Sequence, residues 1–131
     1  GLAILATQSL AEKYRKGFPH SLTNAPILLP TELTAVRRSL DRWMEEHKVF
    51  PEIVAEIEDS ALLKVFGQAG QGVFPVPTAI EELVKKQYGV HLVGCIPEVL
   101  DTFYVISVEK RVQHEAAIRI MNQARNQLFE N

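Results

Sequence analysis

The stretch Asp59-Ser-Ala-Leu-Leu-Lys-Val-Phe-Gly-Gln-Ala-Gly-Gln-Gly-Val-Phe-Pro-Val-Pro77 decides how this chain is read. Asp59 and Ser60 offer side-chain oxygens to the free N–H groups of a first helical turn. Leu62, Leu63 and Phe66 then supply an apolar face at helical spacing. Gly67, Gly70 and Gly72 work against continuing that helix, and one of them can supply its left-handed stop. Val73, Phe74 and Val76 form a short apolar run restricted by Pro75 and Pro77. Proline cannot donate to a ladder, so such a strand ends there, lies at an edge or lines a cleft. Two readings follow: a plain helix-to-strand connection, or the floor of a crevice where an open α/β sheet takes its ligand.

Working outward, apolar runs alternate with helical patterns. Leu2 to Ala6 reads as a strand and Thr7 to Tyr14 as a helix start, broken by Gly17-Phe-Pro19. Pro26 to Leu29 is a short buried strand stopped by Pro30. Thr31 is positioned to cap a helix whose apolar stripe is Leu33, Val36, Leu40, Trp43, Met44 and His47. Arg37, Arg38, Asp41, Arg42, Glu45 and Glu46 fill its other face, which reads as solvated. Ile53 to Ile57 makes a strand. Thr78 and Glu81 have capping-box spacing, and their helix carries Ile80, Leu83 and Val84 inward before stopping at Gly89. Val90 to Ile96 is a further strand, Leu100 to Val108 another, and a last helix carries Ile118, Met121, Ala124 and Leu128. The order predicts an α/β fold with a mostly parallel, twisted sheet flanked by helices.

Composition bounds the function. The chain has 131 residues with 47% hydrophobic and 23% charged, enough for one domain with a core. Its net charge of -2 gives no electrostatic footprint for nucleic acid. No apolar run approaches the ~20 residues of a membrane span. The single Cys95 cannot form an internal disulfide and reads as a small buried hydrophobe, in keeping with a cytoplasmic setting. The start at Gly1, without Met and inside an apparent strand, suggests a piece of a longer protein.

Catalytic constellations are missing. There is no nucleophile elbow and no phosphate loop, because the 67–72 glycines follow a helix and precede a strand, the reverse of a dinucleotide site. His20, His47, His91 and His114 lie far apart and none has metal-ligand spacing with Cys95, so no metal or cofactor is expected. Glu56, Glu58 and Asp59 can bind a cation through hard oxygens, or simply complement a helix N-terminus.

The element order and several of these words resemble the effector-binding domain of LysR-type transcriptional regulators. The likeness runs through Leu2 to Tyr14, Ala25-Pro-Ile-Leu-Leu-Pro30 and Phe66 to Pro77, where the family has V-x-x-G-x-G-[IV]-x-x-[LV]-P. Phe103 to Val108 looks like a returning strand. Asp59 to Phe66 and Glu109 to Ala116 are similar to a subfamily that activates a sodium/proton antiporter gene.

The resemblance implies a periplasmic-binding-protein-like (type II) regulatory domain, here only in part. It implies residues 1–7 as a flanking strand of subdomain I, 8–96 as subdomain II, and 97–131 as the return strand and helix of subdomain I. DNA would be bound only by an N-terminal winged helix-turn-helix outside this chain. The expected effector contacts are Pro30, Thr31, Glu32, Thr34, Phe74 and Pro75, for a small effector or, given Glu32, a cation such as sodium. A second copy is the expected partner (a homodimer, or a tetramer at full length) through Leu40, Trp43, Met44 and Val54. Trp43 could equally face its own sheet. The chain would do no catalysis. A periplasmic solute-binding protein and a small α/β enzyme remain as alternatives.

Overall fold

A computed structural model describes residues 1–99. They form strand β1 (Leu2–Ala6), helix α1 (Gln8–Arg15), strand β2 (Pro26–Leu29), helix α2 (Ala35–Glu46) and strand β3 (Glu52–Glu56). Helix α3 (Ser60–Gln68), strand β4 (Phe74–Pro77), helix α4 (Glu81–Tyr88) and strand β5 (His91–Ile96) follow. The predicted strand from Leu100, the final helix and the Glu109 to Ala116 stretch lie outside the described residues.

The alternation of strands and helices is as read from the sequence, but the sheet is mixed rather than mostly parallel. β4, β1 and β5 form a three-stranded sheet in which β1 runs antiparallel to both neighbours. β2 and β3 pair in parallel. One parallel bridge, Ile27 to Val73, joins the two sheets: Leu28 N–H donates to the Val73 carbonyl at 2.8 Å, and Val73 N–H to that of Pro26 at 2.9 Å. β1 is the middle strand of the three, and all five of its residues are buried.

Period-two alternation sends β1 side chains to two opposite cores. Leu2, Ile4 and Ala6 join Ala11 of α1 and Leu40, Trp43 and Met44 of α2. Ala3 and Leu5 join Leu63 of α3, Phe74 and Val84 of α4. With both faces covered, each central strand is an unbroken apolar run, which is what makes these strands visible in the sequence.

One of the three glycines supplies the left-handed stop, as expected, but Gly67 has another role. Gly67 does not end α3; it lies inside the helix. A Cβ there would sit 2.3 Å from the Phe74 ring, so the missing side chain lets the ring lie against the helix. The left-handed stop falls to Gly70, at φ +85°. Only Leu63 and Gly67 of α3 are buried, while Leu62 and Phe66 stay exposed.

The capping box does not form. Thr78–Ile80 makes a 3-10 turn with no side-chain cap, and Glu81 instead lies 3.5 Å from Lys85. Val84 faces inward, Leu83 does not, and Gly89 stops α4 as expected. Cys95 is exposed, not buried, and lies in β5 next to the buried Ile96.

Candidate functional site

The segment of residues 30–34 links the end of β2 to α2. Thr31 was expected to cap this helix, but Thr34 does so: its Oγ1 accepts from Arg37 N–H at 3.1 Å. The same hydroxyl donates to the Thr31 carbonyl at 3.1 Å, and Thr34 N–H donates to it at 3.2 Å. Residues 31–34 therefore close into a turn before the helix begins. Leu33, placed in the apolar stripe by spacing, falls in this turn and is 84% exposed.

Two consecutive arginines of α2 take up the remaining carbonyls of the segment. Arg38 Nη1 donates to the carbonyls of Leu33 at 3.0 Å and Glu32 at 3.4 Å. Arg37 Nη1 donates to the Pro30 carbonyl at 2.8 Å. Every carbonyl from Pro30 to Leu33 thus accepts from the start of α2. The N–H groups of Thr31, Glu32, Leu33, Ala35 and Val36 have no partner among the described residues. The segment consequently presents donors at a helix N-terminus, an arrangement suited to a ligand that brings acceptors.

Arg37 was read from the sequence as solvated and is the buried charge of this region, at 3% exposure. Its Nε donates to both carboxylate oxygens of Asp41, at 2.9 and 3.1 Å, and its Nη1 also pairs with Glu56 at 2.9 Å. Burial on its own lowers the pKa of the guanidinium. The hydrogen bonds and charges of Asp41 and Glu56 outweigh this, so the net shift is upward and the charge is retained. Glu56 thereby has a partner of its own, and Asp59 is a helix cap, accepting from Ala61 and Leu62 N–H at 2.8 and 3.2 Å. Among the described residues no group of three or more His, Cys, Asp or Glu could hold a metal ion.

The expected site residues divide. Pro30, Thr31, Glu32 and Thr34 are brought together on one partly exposed segment. Phe74 is fully buried in the core beside α3, with its ring against Gly67, and Pro75 is buried too. What β4 contributes is backbone. Val73 faces β2 with both its N–H and its carbonyl, while Thr78 N–H donates to Gly1 on the β1 side. Alternation then places Pro75 and Pro77 on the β2-facing edge, where β2 has parted from β4 and no ladder donor is needed.

The expected dimer residues divide as well. Leu40, Trp43 and Met44 are 1%, 6% and 8% exposed and belong to the core of their own chain; Trp43 stacks on His47 with centroids 4.4 Å apart. Val54 is 47% exposed on β3, which pairs only with β2 among the described strands. Phe50 and Ile53 are exposed beside it.

No family model matches the chain. It is 30% identical over 114 residues, 87% of its length, to the transcriptional activator protein NhaR of Escherichia coli K12, with the same figures for NhaR of Shigella flexneri. The resemblance is to the LysR-type regulators. The chain spans 38% of the length of these NhaR relatives. Its fold is similar to the regulatory domain of CcmR from Synechocystis PCC6803, solved in complex with 2-PG, at TM-score 0.50 and 14% identity. That match covers 57% of this chain and 36% of the other. It is also similar to an effector-binding domain of Citrobacter freundii carrying three substitutions, at TM-score 0.53 and 16% identity, covering 72% and 47% of the two chains. Among the described residues, no helix is long and apolar enough to cross a membrane.

Proposed function

We propose that this chain is the effector-sensing and oligomerisation part of a LysR-type DNA-binding transcriptional activator, built as a periplasmic-binding-protein-like (type II) domain. It belongs on this reading to a cytoplasmic regulator whose DNA contacts lie in a separate winged helix-turn-helix. The observation that carries the reading is the likeness to NhaR over 87% of the chain. Control of a sodium/proton antiporter gene is the finer form of the proposal, resting on the same likeness. Residues 1–96 would form subdomain II with β1 at its centre, and the effector would lie against residues 30–34. Occupancy would shift the balance between protomer arrangements by differential affinity for them.

The geometry favours an effector with hydrogen-bond acceptors over a cation. Sodium coordination needs oxygen ligands, as for other hard cations. Here the loop carbonyls are already held by Arg37, Arg38 and Thr34, leaving the exposed Glu32 carboxylate. Calorimetry with sodium chloride against potassium chloride, at fixed ionic strength, tests this. Equal, featureless heats are expected. A saturable sodium heat that disappears in Glu32→Gln would restore the cation.

Self-association would use β3. Its edge, unpaired among the described residues, is flanked by two open grooves. One, of ≈ 260 Å³, is lined by Leu28, Val54 and Phe66; the other, of ≈ 350 Å³, by Met44, Phe50 and Ile53. An unpaired edge with apolar side chains on both faces invites a second strand.

A further inference from the structure

We propose that Arg37 is a positioning residue that couples residues 30–34 to the edge strand β3. The inference rests on the reading of residues 30–34 as the effector-facing segment. One nitrogen, Nη1, donates to the Pro30 carbonyl at 2.8 Å and is ion-paired with the Glu56 carboxylate at 2.9 Å. One nitrogen thus serves both the start of the loop and the end of β3. Nε holds Asp41 of α2, which fixes the third corner. A guanidinium is planar and rigid, so a tilt that follows Pro30 must also move the donor serving Glu56. Water cannot easily take over either bond, because the Arg37 side chain is only 4% exposed.

The backbone runs parallel to this link. Leu29, the residue before Pro30, is in register with Glu56, and its carbonyl accepts from Ile57 N–H at 2.9 Å. Displacement of the loop by a ligand would therefore reach the exposed edge by two adjoining routes, one through the strand ladder and one through Arg37. Only the second can be cut without breaking the sheet. Both carboxylates are about two-fifths exposed, at 43% for Asp41 and 40% for Glu56, so an amide at either position keeps its contact with water and still offers Arg37 an acceptor.

Amide hydrogen exchange on the whole chain tests the coupling, and it needs no ligand. Glu56→Gln changes only the β3 side of the link. Exchange at Thr34, across the link in the loop, is expected to quicken about tenfold, the equilibrium shift set by weakening the Arg37–Glu56 ion pair to a contact with a neutral acceptor. Exchange in β1 and β5 should stay unchanged. Arg37→Lys keeps the charge but not the fork, and should quicken exchange at both Thr34 and Ile57. If Glu56→Gln affects β3 amides alone, Arg37 is a local structural residue and the proposal is overturned. A chain that binds no effector, yet shows the coupled exchange, would fail the functional reading and keep this one.

Discussion

Trp43 and Arg37 show how one helix can be read correctly in period and wrongly in detail. The spacing of Leu40, Trp43 and Met44 marks a buried stripe, and the structure buries all three. Which surface covers them was not legible, since a stripe facing its own sheet and one facing a partner have the same period. By its position Arg37 carries a signal of its burial. It lies three residues before Leu40 and seven before Met44, so it belongs to the apolar face and not to the solvated one. A charge in that position needs partners, and Asp41 and Glu56 supply them. These placements separate two variants. Trp43→Ala removes a large core side chain and should cost about 3–5 kcal/mol in urea unfolding. Val54→Lys, on the exposed edge, should leave stability within about 0.5 kcal/mol. In sedimentation velocity, Val54→Lys should abolish self-association. A Val54→Lys chain that still dimerises would show that β3 is not the contact.

At the scale of elements, boundaries were set by hydrogen bonds that the sequence offered in more than one place. Thr31 and Thr34 both precede the helix and either could cap it. Thr34 does so because the segment from Pro30 first closes its own turn onto the Thr31 carbonyl. Thr34→Ala should therefore lower stability by about 1 kcal/mol, and Thr31→Ala by much less. Chemical denaturation of the two variants checks the order, and equal losses would place the cap elsewhere. Asp59 was legible as a cap because it, with Ser60, leads directly into the apolar face of its helix. The Thr78 and Glu81 spacing was equally suggestive and went unused, since Glu81 lies against Lys85. Strand existence was easy to read and strand direction was not. Leu-Ala-Ile-Leu-Ala is equally apolar in either direction, so the antiparallel setting of β1 is decided only by which strands flank it.

For the whole described unit, the arrangement is a central layer of strands with α1 and α2 packed in one core and α3 and α4 in the other. That alternation was visible from element order, as was the segment of residues 30–34. The loss of Phe74 from the expected site was not visible, because it depends on Gly67 admitting the ring from another element. Gly1–Leu100 forms one compact unit with two apolar clusters. A chain of residues 1–100 is expected to unfold in one cooperative urea transition, monitored by Trp43 fluorescence and circular dichroism together. Transitions that do not coincide, or no transition at all, would show that this unit does not fold on its own.

The central position of β1 bears on the order in which the polypeptide is made. Leu2 is paired with Pro77 and with Ile96, so β1 is translated well before either of its neighbours. Until β4 and β5 have been translated, five consecutive apolar residues remain in the nascent chain without a ladder on either side. Contacts so distant in sequence form slowly, and an unpaired apolar segment is what chaperones bind and aggregates recruit. The strand that anchors the finished sheet is therefore exposed to those risks during its synthesis.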